Sequence, residues 1–177
     1  MRMVTHGRVS AAALLALAAL LAGLALGAGE AAAQPASLVG GSAPAVRAAS
    51  LDGGEVVIPA RGKVMLVVFW NTKYRLSADA LGAIQRLHDR HRTRGLLCVG
   101  IDDLGEDGRA VSQFVSGLGV AFPVVSGPAG PSAAAAYRVR GVPVVYIVDR
   151  SGTVSYVREG WDKRAEDEVG RQIQALL

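Results

Sequence analysis

The chain has 177 residues, 51% of them hydrophobic, and a net charge of +4 from 19 basic and 15 acidic side chains. That length and that small, evenly mixed charge fit one domain with a real core, and exclude a multi-domain enzyme, a polytopic membrane protein and a strongly basic nucleic-acid surface. The single cysteine, Cys98, excludes an intramolecular disulfide, so packing must hold the domain together.

Residues 1–33 read as an export signal. Arg2 and Arg8 give a basic start, residues 11–28 are unbroken apolar sequence, and Ala31-Ala32-Ala33 fits a small-residue cleavage site before Gln34. The expected location is periplasmic or secreted. The apolar stretch approaches the ~20 residues that span a bilayer, so an uncleaved anchor through residues 11–28 in the inner membrane is the alternative. No cysteine lies near its end to carry a lipid.

Residues 34–51 are rich in Ala, Ser, Pro and Gly and read as a tether (34–42) running into the edge of a domain over 43–177. Asp52-Gly53-Gly54 predicts a turn, and Glu55-Val56-Val57-Ile58-Pro59 a short strand closed by proline. Three continuous apolar runs predict central strands covered on both faces: Val64-Met65-Leu66-Val67-Val68-Phe69-Trp70, Leu96-Leu97-Cys98-Val99-Gly100-Ile101 and Val144-Val145-Tyr146-Ile147-Val148. Between the first two, Leu81, Ile84, Leu87 and His88 mark a helix that ends in Arg90, Arg92, Arg94 and Gly95, a cationic stop signal followed by glycine. Ala110, Val111, Phe114, Val115 and Leu118 mark a second helix. Asp149-Arg150-Ser151-Gly152 turns the third run into an antiparallel hairpin with residues 153–157. A last helix from about Lys163 carries Ala165, Val169, Ile173 and Leu176 on one face, with Asp162 as its expected cap. The sum is an α/β domain, a parallel βαβ joined to an antiparallel ββα, with helices on both faces of a mixed sheet.

This order is that of the thioredoxin fold, and three motifs resemble one exported branch of it. The stretch from Gly62-Lys63 to Trp70-Asn71-Thr72 resembles the strand entering the active site of the TlpA/ResA-like thiol–disulfide oxidoreductases. Gly119-Val120-Ala121-Phe122-Pro123-Val124-Val125 resembles their extra central segment, and Arg140-Gly141-Val142-Pro143 with the hairpin after it resembles their cis-proline loop. The resemblance implies a Trp-x-x-x-Cys-x-x-Cys element whose cysteines would fall at positions 74 and 77. Tyr74-Arg75-Leu76-Ser77 stands there instead, and Gly82 replaces the helix proline common in the family. Disulfide exchange needs an attacking thiolate and a resolving thiol, so the resemblance implies the fold and not the activity.

Cys98 lies in a strand run and reads as a core residue; the alternative is a reactive thiol supporting oxidoreductase or peroxidase-type chemistry. His88 and His91, at i and i+3, have the spacing for a shared metal, but Arg86, Arg90, Arg92 and Arg94 repel a cation, and a solvated basic helix end is preferred, with no metal or other cofactor expected. Asp102, Asp103, Glu106 and Asp107 form an acidic loop best read as helix capping. Lys73 and Arg75 leave the end around Tyr74 positively charged. What the resemblance leaves is a peptide groove built from Trp70, Tyr74, Ser77, Val142 and Pro143, able to pair with an extended strand without thiols. Tyr74 is either an exposed anchor there or a plug in the space of an abandoned site. The expected function is a redox-inactive module that binds unfolded or extended polypeptide, or an envelope redox or cytochrome-maturation component. The rivals are an enzyme using Cys98 and a structural subunit of an envelope complex.

Overall fold

A computed structural model describes residues 38–177. The expected signal or anchor and residues 34–37 of the expected tether lie outside the described residues. In chain order the elements are β1 (Val46–Ala49), β2 (Glu55–Ile58), β3 (Val64–Trp70), α1 (Arg75–His91), β4 (Leu96–Asp102), α2 (Gly108–Gly117), β5 (Val124–Val125), α3 (Ala129–Ala136), β6 (Val144–Val148), β7 (Val154–Glu159) and α4 (Ala165–Leu176).

The apolar runs do what their lack of polar alternation requires. β3 and β6 are buried along their whole length, because each has a strand on either side and packed material on both faces. The five-stranded sheet has the order β5-β4-β3-β6-β7. β3, β4 and β5 run parallel, whereas β6 is antiparallel to both β3 and β7. Alternate residues of β3 feed two cores. Leu66, Val68 and Trp70 pack with Leu81, Ile84 and Leu87 of α1, Val111 of α2 and Val169 and Ile173 of α4. Met65, Val67 and Phe69 pack with Ala133 of α3, Tyr137 and the β1–β2 hairpin. Each fully buried Leu, Ile or Phe contributes about 1.5–3 kcal/mol by leaving water. The chain therefore stands on two continuous cores with no covalent cross-link.

Three expectations at the edges need correction. Residues 38–42 do not hang free as a tether: the Gly40 N–H donates to the Val154 carbonyl at 2.8 Å, Val154 N–H donates to Gly41 at 2.9 Å, and Ser42 bridges to Thr153. Val46–Ala49, read as part of the lead-in, is a strand paired antiparallel with β2. The last helix begins at Ala165, because the Asp162 carboxylate accepts from the Arg164 N–H at 2.8 Å and shapes the turn before the helix rather than capping the helix itself. Two elements went unanticipated, β5 and the alanine-rich α3. Among the described residues no helix is long and apolar enough to cross a membrane.

Candidate functional site

β3 and β4 end side by side, with Trp70 opposite Asp102, so the loops that follow them emerge together at one end of the sheet. The Asp103 N–H donates to the Trp70 carbonyl at 3.0 Å. Side chains then fasten one loop to the other. Asn71 Nδ2 donates to Asp103 Oδ1 at 2.9 Å, and Thr72 donates its N–H (2.9 Å) and its hydroxyl (2.6 Å) to the two oxygens of Glu106. Asn71 Oδ1 also accepts from the N–H groups of Lys73 and Tyr74, both at 3.1 Å, a local turn that points the chain into α1. Beneath them, the buried Asp102 carboxylate accepts from the N–H groups of Leu104 and Glu106. Burial pushes its pKa above the usual carboxylate range, with those two hydrogen bonds pulling the other way.

Tyr74 lies exposed at the end of this braced loop. It precedes the first turn of α1 without capping it, that turn holds no acidic residue, and Tyr74 is 50% exposed. Tyr74 is therefore exposed and not a plug. Facing it is the loop before β6, where the Val142–Pro143 peptide is cis. Together Asn71, Lys73, Tyr74, Leu104, Gly141 and Val142 line a cleft of about 430 Å³. Val142 is half-buried, and its N–H and C=O make no hydrogen bond among the described residues. The next carbonyl, on Pro143, is taken by the Gly160 N–H at 2.8 Å.

The structure thus brings Tyr74 and Val142 together and corrects the rest of the expected groove. Trp70 is fully buried, stacked on Phe114 with ring centroids 5.5 Å apart, so it supports the loop from below and walls nothing. Ser77 is also fully buried; its hydroxyl accepts from the Asn71 N–H at 3.4 Å and ties the loop to α1. Pro143 is buried under the cleft. Cys98 lies on β4 under the helices, 2% exposed, and its thiol pKa is pushed far up, first by burial and then by Asp89. A thiol held that way is a poor nucleophile.

The remaining candidates have structural surroundings. Asp107 caps α2, accepting from the N–H groups of Arg109 and Ala110 as expected, whereas Asp103 and Glu106 brace the neighbouring loop. His91 is buried rather than solvated, with no hydrogen bond to either ring nitrogen. Among the described residues no three His, Cys, Asp or Glu side chains gather closely enough to hold a metal. A cleft of about 500 Å³ on the other flank of α1 contains none of the expected groove or thiol residues, and Arg86 there is already paired with Glu166. Sequence reasoning missed Leu104, an apolar side chain 48% exposed inside an acidic loop, and that mismatch was the available signal. It also missed Asn71, Thr72 and Glu106, whose roles depend on two loops meeting.

A mixed sheet made of a parallel βαβ and an antiparallel ββα, with a cis-proline loop set against the start of α1, defines a thioredoxin-like protein. A family profile described as the AhpC/TSA family matches residues 39–157, and the chain belongs to that family. Solved structures agree on the fold. A putative thiol:disulfide interchange protein DsbE from Chlorobium tepidum is 21% identical, with a TM-score of 0.69 over 76% of this chain and 94% of the other. A putative protein disulfide isomerase from Bacteroides thetaiotaomicron is 22% identical, with a TM-score of 0.71 over 78% and 89%. StoA from Bacillus subtilis is 17% identical, with a TM-score of 0.62 over 73% and 96%. No curated protein matches the chain.

Proposed function

We propose that this chain is an exported thioredoxin-like protein that binds extended polypeptide in the cleft beside Tyr74 and does not itself exchange disulfides. The observation that carries the reading is the pairing of a half-exposed Tyr74 with Val142, whose backbone donor and acceptor are both unused. An incoming strand can take those two hydrogen bonds by β-augmentation while an apolar side chain rests on the tyrosine ring. The chemistry of the residues supports the redox-inactive half of the reading. Tyr74 and Ser77 occupy the positions where the TlpA/ResA-like family has its cysteines, Ser77 is buried, and the one thiol is sealed in the core. The partner is an unfolded or extended polypeptide, or an envelope component of a redox or cytochrome-maturation system, the latter by family resemblance.

The test is binding of an unfolded, cysteine-blocked polypeptide to the wild-type protein and to Tyr74→Ala. The expected result is a loss of about fivefold or more in affinity, the scale of a 1 kcal/mol anchor, with an unchanged melting temperature. Turnover of a disulfide substrate in a dithiol-coupled assay overturns the redox-inactive half of the reading.

A further inference from the structure

Among the described residues, the one charged residue lining the cleft is a lysine, and an arginine stands beside its far wall. Lys73 lines the cleft, Arg140 immediately precedes its Gly141 wall, and both are exposed. Neither has a carboxylate partner among the described residues. Arg75, next to Tyr74, has an 87% exposed side chain and reaches only Asp79, at 3.9 Å. Of the acidic groups beside the cleft, Asp103 and Glu106 are half-buried and direct their oxygens at Asn71 and Thr72, Asp79 lies by Arg75, and the exposed Glu159 stands opposite Val144 on β7. Lys73 and Arg140 therefore face water and an arriving ligand, whereas the Asp103 and Glu106 carboxylates face the protein. Between the cations the floor is apolar, made by Tyr74, Leu104 and Val142.

We propose that the polypeptide segment this cleft selects is acidic: an extended strand with an apolar or aromatic residue seated between Tyr74 and Leu104, flanked by Asp or Glu that meet Lys73 and Arg140. The inference rests on the peptide-binding reading above and adds the ligand's composition. An isolated small anion would leave the apolar floor unused, and an uncharged strand would leave the cations without partners. Exposed charges of this kind act on encounter rate and selection more than on total affinity, and salt screens them.

The experiment uses three fluorescent peptides that share a central Phe between Val residues and differ only in their flanks, which are Glu, Ser or Lys. They are titrated against the full chain, against Lys73→Glu/Arg140→Glu, and against Arg61→Glu/Lys63→Glu. The last pair makes the same change in net charge on exposed residues at the opposite end of β3. The expected order is Glu over Ser over Lys, with Glu and Lys flanks separated by about tenfold at low salt and converging as salt rises from about 0.05 M to about 0.5 M. The rim reversal should invert the order and the distant pair should preserve it.

Equal affinity for all three peptides, with Tyr74→Ala still weakening each, overturns the acidic preference and leaves the peptide-binding reading standing. No binding of any peptide removes both. Equal damage from the distant pair assigns the effect to bulk charge and overturns the proposal. So does displacement of the Glu peptide by a single-stranded oligonucleotide at equal concentration, which marks the rim as a general polyanion attractor.

Discussion

Thr72 gives both of its donors, the backbone N–H and the hydroxyl, to the single carboxylate of Glu106, at 2.9 and 2.6 Å, across 34 residues of sequence. The contact makes the loop after β4 the splint for the loop that presents Tyr74. Glu106→Ala leaves two half-buried donors without a partner, and a stability loss of about 1–3 kcal/mol is expected by chemical denaturation. Peptide affinity should fall as well, because Tyr74 is no longer held. Faster amide hydrogen exchange confined to residues 72–74 would report that loosening directly. Unchanged exchange there would mean that Asn71 alone suffices.

Two glycines should respond in opposite ways to the same methyl group. A Cβ on Gly130, in the first turn of α3, would be driven into the Asp102 carbonyl oxygen, a backbone atom that cannot yield. Gly130→Ala should cost about 3 kcal/mol or more and disturb the loop that carries Leu104. A Cβ on Gly82, inside α1, meets nothing nearer than the flexible Arg86 guanidinium at 3.9 Å. Gly82→Ala should therefore stabilise by about 0.5–1 kcal/mol, the ordinary helical gain over glycine. Thermal melts of the two variants side by side decide it.

Cys98 should react with a thiol reagent far more slowly in the folded protein than in the unfolded chain. Burial both blocks access and holds the thiol protonated. Because opening is needed for reaction, the rate should rise as mild denaturant lowers stability. A folded rate close to the unfolded one would return the enzyme reading through this residue.

His91 makes stability depend on mild acid. It is 2% exposed with both ring nitrogens unpaired, and burial, then Arg94, then Arg90, hold its pKa below the ordinary value of 6.5. His88, depressed mainly by burial, acts in the same direction. Above 6.5 both histidines are neutral whether the chain is folded or unfolded, so their contribution is fully present. As pH falls through the unfolded value toward the lower folded one, the unfolded chain takes up protons first and stability is lost. Melting temperature should drop between about pH 7 and about pH 5, and His91→Leu should flatten that slope. An identical slope in the variant would assign the acid sensitivity elsewhere.

The sheet was legible because its central strands are apolar without interruption, and the two long helices because their apolar residues recur at helical spacing. What stayed hidden had no pattern to show. α3 is mostly Ala, with one Gly, one Pro and one Ser, so no polar face marks a period, and β5 has only two residues. Of the site, position in the motif located Tyr74 and Val142. Position could not tell that Trp70 and Ser77 point inward, since exposure depends on which loop covers them. The brace of Asn71, Thr72, Asp103 and Glu106 arises from two loops distant in sequence, and its residues look like ordinary turn and cap residues when read singly. Leu104 was the one local anomaly that pointed to a surface.

The sealed, solitary thiol gives the protein a chemical indifference. With no second sulfhydryl in the chain and the first one under three helices, neither reductant nor mild oxidant has a bond to make or break in it. Unfolding midpoints measured in either medium should coincide. On the proposed reading, a partner seated beside Tyr74 would likewise not be captured covalently. It would arrive and depart at rates set by contact and charge alone, and dilution would release it, whereas a dithiol protein holds its substrate as a mixed disulfide until a second sulfur lets it go.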